Sequence, residues 1–318
     1  MAPSEGDDIL ADQAASSVRS VISQALDEDP PAALDPEFLA LYGTACWGAG
    51  RIGESLAADR LCLRGGRIPQ SVHFRAAFWA LHQGREALAL RHFARFAEAD
   101  PDNAAALLGI AYAFFYAEEY STAAGVFRRL EREQPRLRSP AAMAAACEAL
   151  AAGRTDVAVE LPPLPDLPAG VADVLQIRLL HGPGAAAEHA SRLCAERPHS
   201  LPLARIRCEL LVDEEDFPGA DAEAARALRR WPDDGVLWRC KGAVQSETEP
   251  SAALTSFTKA VELAPADPES RFGMAAVLRT LGRDTAAEAA YRIAIYLAPE
   301  ERRHDVSGGS SVPGDLLE

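Results

Sequence analysis

The sequence predicts an all-α protein, an α-solenoid built from stacked helix–turn–helix units. Two observations predict this fold. Between successive prolines, apolar residues recur at the three- and four-residue spacing of amphipathic helices. Eight of the 22 prolines recur at intervals of 30 to 34 residues, at positions 69, 101, 135, 165, 198, 232, 265 and 299. A single helical hairpin cannot bury its own apolar faces, so a recurring hairpin predicts neighbours stacked against it.

The segment 101–135 shows the repeating unit most clearly. It is predicted to form two short helices with a polar turn at 118–121. Their apolar residues are Leu107, Ile110, Ala111, Phe114, Ala123, Phe127 and Leu130. Where two helices cross closely, a small residue on one admits a large residue on the other.

This unit resembles a tetratricopeptide repeat, a 34-residue helix–turn–helix with small and large apolar residues at fixed offsets. Ala111 stands at the small position of the first helix, and Ala123 and Phe127 at the alanine and aromatic positions of the second. Pro135 is the terminal proline. The resemblance covers residues 36–300. It implies a right-handed solenoid whose first helices line a concave groove that holds partner segments.

The remaining elements follow in chain order. Residues 1–35 are expected to hold a helix over 7–26 that serves as an amino-terminal cap or is a surviving half-repeat. Residues 36–152 hold the amino-terminal repeats, and a proline-rich interruption follows at 153–168, where prolines cannot sustain a helix. Residues 169–300 hold the carboxy-terminal repeats. Residues 301–318 are rich in glycine and serine and are expected to be disordered.

Composition limits the classes of function. The net charge is −15 and the sequence pI is about 5.0, which argues against nucleic acid or an anionic membrane as a partner. No apolar run approaches the about 20 residues needed to span a bilayer, and the first ten residues lack the pattern of a signal peptide. A cytoplasmic location is therefore expected. The six cysteines are scattered with no CxxC pair, which predicts buried, reduced thiols.

No motif indicates catalysis. The sequence contains no HExxH, GxSxG or P-loop pattern, and no cofactor or metal is predicted. The stretch 48–53 formally matches GxGxxG, but a helical segment rather than a strand precedes it, so a glycine-rich turn between two helices is expected. The acidic run 213–216 is expected to be a solvated turn. The arginines between 128 and 138 are interpreted as a charged outer helix face.

If the family pattern holds, the groove is lined by side chains on the first helices opposite their packing residues. The first half offers aromatic groups, an interpretation that competes with their burial between repeats. The second half offers arginines that would pair with carboxylates. The predicted groove residues are Phe74, Phe78, His82, Tyr112, Phe115, Tyr116, Arg178, Arg205, Arg239 and Arg279.

The leading hypothesis is a non-catalytic scaffold that binds a partner protein or peptide, with acidic or carboxylate groups, in this groove. One alternative is a dedicated chaperone or maturation factor for a co-encoded client. Another is the accessory subunit of an enzyme such as a transferase. The last repeat lacks an evident capping helix, so a homodimer through the carboxy-terminal repeat edge is also predicted.

Overall fold

The computed structural model describes residues 5–28, 34–63, 68–82, 85–98, 100–134, 139–154, 167–168 and 170–298. These residues form helices and their connecting turns, and no strand occurs among them, so the predicted all-α class is confirmed. The helices are α1 (Glu5–Asp27), α2 (Pro36–Gly48), α3 (Ile52–Leu63), α4 (Gln70–His82), α5 (Glu86–Ala97), α6 (Ala104–Tyr116), α7 (Tyr120–Glu133), α8 (Ser139–Ala151), α9 (Val171–Glu196), α10 (Leu201–Asp213), α11 (Phe217–Leu228), α12 (Gly235–Gln245), α13 (Pro250–Leu263), α14 (Pro268–Thr280) and α15 (Asp284–Leu297).

Consecutive helices pack as hairpins in the predicted pairing. The pairs α4–α5, α6–α7, α10–α11, α12–α13 and α14–α15 each occupy one proline interval. The segment labelled α9 comprises both helices of its repeat. A kink separates them at Gly182, which has a φ of 84°, and Pro183 follows it. First helices of successive repeats also contact each other: α4 packs on α6, α10 on α12, and α12 on α14.

Glycine on a first helix receives the aromatic ring of a second helix. A Cβ built on Gly109 would lie 2.1 Å from Cε1 of Phe93, which is fully buried. A Cβ on Gly273 would lie 2.3 Å from Cε1 of Phe257. Each of these rings therefore fits against the first helix of the next repeat, which is the small-against-large packing expected from the sequence.

Acidic or amide side chains cap several first helices. Asn103 Oδ1 accepts from the main-chain N–H of Ala105 at 3.0 Å, and Asp234 Oδ1 accepts from that of Leu237 at 3.0 Å. Asp267 Oδ2 accepts from the N–H of Ser270 at 3.2 Å, just before Pro268 at the first helical position. These caps satisfy N–H groups that have no partner within the helix, so they fix where the first helices begin.

The chain divides into two compact units. One comprises Met1–Leu61 together with Pro168–Glu318, and the other comprises Cys62–Leu167. The first unit therefore joins α1 and the α2–α3 hairpin to the carboxy-terminal repeats. In α1, Ile22 and Leu26 are buried, and this helix contacts α13. The second unit holds α4 to α8.

Several local predictions can be compared with these elements. The GxGxxG stretch is a turn between α2 and α3, as expected, and helix α2 precedes it. Residues 213–216 connect α10 to α11, so their assignment to a turn is confirmed. All six cysteines are buried, and none of them forms a disulfide. Most of the interruption at 153–168, and the whole tail at 301–318, lie outside the described residues.

Candidate interaction surface

The first helices of three carboxy-terminal repeats, α10, α12 and α14, lie side by side and carry a cluster of buried charges. Arg205 on α10 is only 7% exposed. Its Nε donates to Asp234 Oδ2 at 2.8 Å, and the same carboxylate oxygen accepts from Nη2 at 2.5 Å. Asp234 thus caps α12 and holds the arginine of the neighbouring helix. Removing either partner would leave a buried charge unpaired, which is costly.

A second arginine continues the cluster along α12. Arg239 pairs with Glu209 on α10, and its Nε lies 3.1 Å from Asp267 Oδ2, the cap of α14. The pKa of Arg239 is raised well above its usual value; burial opposes the shift, while Asp267 and Glu209 produce it. Each arginine therefore links its own helix to the first helix of a neighbouring repeat. The arginines predicted for partner binding at these two positions serve the packing of the repeats.

The α2–α3 hairpin lies against this cluster. Nη1 of Arg205 donates to the main-chain carbonyl of Ala49 at 2.6 Å, across 156 positions of sequence. Ala49 caps the end of α2, where a helix leaves carbonyl groups without partners. A Cβ on Gly50 would lie 3.2 Å from Cβ of Pro202, and one on Gly53 would lie 3.0 Å from Asp267 Oδ1. The tip of the hairpin thus contacts the starts of α10 and α14.

A buried polar group within the hairpin supports its tip. Glu54 on α3 is 2% exposed, accepts a short hydrogen bond from the Tyr42 hydroxyl, and lies 3.1 Å from Nη1 of Arg51. Burial raises the pKa of Glu54, against the opposing effect of Arg51. Burial likewise raises the pKa of the Cys46 thiol to about 12. Ser55 Oγ donates to the Gly43 carbonyl at 2.8 Å, so α2 and α3 are also joined directly.

The charges of the hairpin meet both opposite and like charges of the repeats. Burial is the largest influence on the pKa of Glu54, and among the groups of the repeats Asp267, which raises it, outweighs Arg205, which lowers it. Burial lowers the pKa of Arg51, whereas Glu54 and, to a smaller extent, Asp234 raise it. The hairpin therefore presents to the repeats a turn carbonyl and a cation that match Arg205 and Asp234, and a buried anion that lies near both Arg205 and Asp267.

The aromatic residues predicted for the first half divide into two groups. Phe74, Phe78 and Tyr112 are buried. Phe74 and Phe78 pack edge to face with ring centroids 4.8 Å apart, and the Tyr112 ring lies 5.6 Å from that of Phe127. These three residues therefore fit the competing interpretation, in which the rings are buried between helices. Phe115 and Tyr116 are partly exposed, and the side chain of His82 lies outside the described residues.

Phe115 and Tyr116 belong to a small aromatic patch at the end of α6. Their ring centroids are 5.5 Å apart, and the Phe115 ring lies 5.8 Å from that of Tyr120 on α7. All three rings are partly exposed. We call Phe115, Tyr116 and Tyr120 the aromatic patch. Partly exposed, clustered rings are typical of surfaces that bind other proteins.

The two remaining predicted arginines lie at the surface. Arg178 on α9 is exposed and pairs with Asp213 at 3.0 Å. Arg279 is exposed in the last turn of α14. The arginines at 128 and 129 are also exposed, and they pair with Glu148, Glu131, Glu133 and Asp102. That region is therefore a charged outer face, as expected.

Sequence reasoning missed the acidic half of the charge cluster. Asp234 and Asp267 stand before first helices, and Asp267 is followed by Pro268, which is a recognisable start signal for a helix. That signal indicates the caps but not their pairing with arginines. The role of Ala49 left no signal, because it depends on a main-chain carbonyl and on the return of the hairpin to distant repeats.

No group of three or more potential metal-ligating side chains occurs within the part of the chain that the structure describes. None of the described helices is both long and apolar enough to cross a lipid bilayer.

The helical hairpins define an α-solenoid of the repeat class. A family model described as tetratricopeptide repeat matches residues 80–137 and 246–302, which include α5 to α7 and α13 to α15. No protein with a curated description matches the chain. These two segments therefore match tetratricopeptide repeats, a repeat class that in general serves protein–protein interaction.

Solved structures with a similar course include several repeat proteins. MamA from Desulfovibrio magneticus RS-1, from residue 41 to its end, is 12% identical, with 74% of this chain and 97% of that chain covered and a TM-score of 0.29. A tetratricopeptide repeat protein from Parabacteroides merdae ATCC 43184 is 12% identical over 85% of this chain and 96% of that chain, with a TM-score of 0.40. The Cut9–Hcn1 hetero-tetramer of the APC/C is 14% identical over 83% of this chain and 53% of that chain, with a TM-score of 0.38.

Proposed function

We propose that the protein is a non-catalytic scaffold that holds a segment of a partner protein against the inner face of its first helices. One observation carries this proposal. Arg205 on an inner-face helix donates a charge-assisted hydrogen bond to the main-chain carbonyl of Ala49, in a segment far away in sequence. A guanidinium that binds a carbonyl or a carboxylate is a common recognition element for peptides.

Each of the two units offers its own kind of accessible group to a partner. The aromatic patch in the unit Cys62–Leu167 receives apolar side chains, because its rings are partly exposed and already packed against one another. Arg178 and Arg279 in the other unit are exposed and attract acidic groups of the partner. Exposed charges of this kind act mainly on the rate of association and on its salt dependence.

Co-purification with the tagged full-length chain tests this function. A single stoichiometric partner is expected, and Phe115→Ala with Tyr116→Ala should weaken its binding at least tenfold, because buried aromatic anchors dominate interface energies. Tyr291→Ala is the matched control, since Tyr291 is a partly exposed ring on the second helix α15. Equal partner affinity for the double variant and the control would refute the role of the aromatic patch.

A further inference from the structure

The contact between the α2–α3 hairpin and the inner face has the composition of a binding site with its ligand in place. The ligand side offers the Ala49 carbonyl, with Arg51 and Glu54 close behind it. The receptor side offers Arg205, whose Nη1 lies 2.6 Å from that carbonyl, and Asp234. These groups are the ones that the inner face would present to an acidic or turn-bearing partner if the hairpin were absent.

We propose that the inner face of α10, α12 and α14 is a receptor for a helical hairpin, that α2–α3 occupies it within the same chain, and that a partner binds there by displacing α2–α3. The partner it fits is a protein segment with an exposed turn carbonyl or carboxylate, followed by a cation. This inference rests on the proposed scaffold function and names the site and the chemistry of the partner segment.

The receptor does not need the hairpin to hold its own groups. Asp234 pairs with Arg205 and accepts from the N–H of Leu237 on the receptor side alone. Arg239 is likewise paired with Glu209 and Asp267, both on the receptor side. Loss of the hairpin frees one N–H of Arg205 to water and leaves these internal pairs intact. The inner face therefore remains organised when the hairpin leaves.

The hairpin also holds its own groups. The Tyr42 hydroxyl and Arg51 both bind Glu54, and Ser55 binds the Gly43 carbonyl. All of these residues belong to α2, α3 or the turn between them. Each side therefore has its own internal hydrogen bonds and ion pairs, and contacts between the two sides include those of the Ala49 carbonyl, Gly50 and Gly53.

Two full-length variants separate the ligand from the receptor. Gly53→Glu places a side chain where a Cβ would lie 3.0 Å from Asp267 Oδ1, so the hairpin is expelled by contact and by repulsion between carboxylates. A glutamate in the first turn of α3 favours that helix, so the substitution does not act by weakening α3 itself. Arg205→Met removes the donor to Ala49, which releases an unmodified hairpin from a disabled receptor. Gly48→Glu is the matched control, because nothing lies within 4 Å of a Cβ at Gly48.

Hydrogen exchange reports whether each hairpin is released. In Gly53→Glu and in Arg205→Met, amides in 36–61 should exchange at least tenfold faster than in wild type and in Gly48→Glu. Amides in 201–297, in the receptor repeats of the same unit, should be unchanged, which shows that the receptor remains folded. Unchanged exchange in 36–61 of both variants would overturn the proposal, because the contact would then not hold the hairpin.

Mixing the two variants tests the receptor. Labelled Arg205→Met supplies a free hairpin, and Gly53→Glu supplies an empty receptor, so fluorescence anisotropy should show a complex between them. Wild type or Gly48→Glu in place of Gly53→Glu should bind at least tenfold more weakly, because their receptors are occupied. Absence of a complex when both hairpins are released refutes the proposal. If Arg205→Met loses helical circular dichroism, Arg205→Met with Asp234→Asn replaces it, since asparagine keeps the cap of α12 and leaves no unpaired buried carboxylate.

The mixing experiment uses no partner from the cell. A failure to find a co-purifying partner would therefore affect the scaffold function and leave the complementation result intact. Conversely, a partner that binds wild type and Gly53→Glu with equal affinity would preserve the scaffold function and exclude displacement of α2–α3.

Discussion

Replacing Gly109 by alanine should destabilise the protein, although alanine is the better helix former. In α6 this glycine faces Phe93, and the added Cβ would lie 2.1 Å from Cε1 of that ring, where carbon atoms in ordinary contact need at least 3.4 Å. Phe93 cannot move away easily, because it is fully buried and its ring centroid lies 5.2 Å from that of Phe78. Overpacking of a core costs about 1–3 kcal/mol.

The gain in helix propensity must be set against this cost. Glycine in a helix interior is about 1 kcal/mol less favourable than alanine, so the net loss for Gly109→Ala is between about 0 and 2 kcal/mol. Gly125 in the next helix, α7, offers a matched control, because it is exposed and nothing lies within 4 Å of its Cβ position. Gly125→Ala should therefore raise the free energy of unfolding by about 1 kcal/mol.

Urea denaturation followed by circular dichroism measures both variants against wild type. The difference between their midpoints isolates the overpacking at Phe93, since the propensity term is common to the two substitutions. Gly125→Ala should unfold at a higher urea concentration than wild type, and Gly109→Ala at a lower one or at the same one. If Gly109→Ala were as stable as Gly125→Ala, the ring of Phe93 would not fill the space at Gly109, and the repeat packing described above would be wrong.

Three further changes test other parts of the structure. Gly273→Ala should lower the melting temperature in the same way as Gly109→Ala, because its Cβ would lie 2.3 Å from the ring of Phe257. Asp234→Ala removes the partner of the buried Arg205 and should lower the free energy of unfolding, measured by urea denaturation, by about 3 kcal/mol. Arg128→Ala, at a pair on the surface, should change it little. Equal losses in the two variants would contradict the burial of the Arg205–Asp234 pair. His92 Nδ1 lies 3.1 Å from His73 Nδ1, and burial, with His73 and Arg91, lowers the pKa of His92 from its usual 6.5 to about 4. Above pH 6.5 this histidine is neutral in both the folded and the unfolded chain. Between pH 6.5 and 4 the unfolded chain takes up a proton that the folded chain does not, so the free energy of unfolding should decrease as the pH is lowered. This decrease should be smaller in His92→Gln.

The repeat architecture could be predicted because it depends on local chemistry. The proline interval and the apolar spacing are properties of one hairpin, and stacking follows from the need to bury its faces. Residues such as Ala111, Ala123 and Phe127 were therefore placed correctly in the core. The resemblance of the 101–135 segment to a tetratricopeptide repeat also predicted how the helices pair on both sides of the interruption at 153–168.

The groove residues could not be predicted with the same success, because their exposure depends on what the inner face contacts. Tyr112 was assigned to the groove since other residues already supplied packing, yet its ring is 7% exposed and lies against Phe127. Arg205 was assigned to an open surface, and it is covered by the turn at Ala49. A repeat pattern contains no information about a hairpin that returns from the other end of the chain.

Tethering sets the affinity that a competing partner needs. A segment held in the same chain acts at an effective concentration on the order of millimolar. A free partner at about 1 μM with the same intrinsic affinity would therefore occupy the inner face about once per thousand molecules. To displace α2–α3 it must gain about 4 kcal/mol from contacts that the hairpin does not make. Arg178 and Arg279 are exposed in the presence of the hairpin. A partner whose acidic groups reach these arginines therefore gains additional contacts, whereas a copy of the hairpin alone does not gain them.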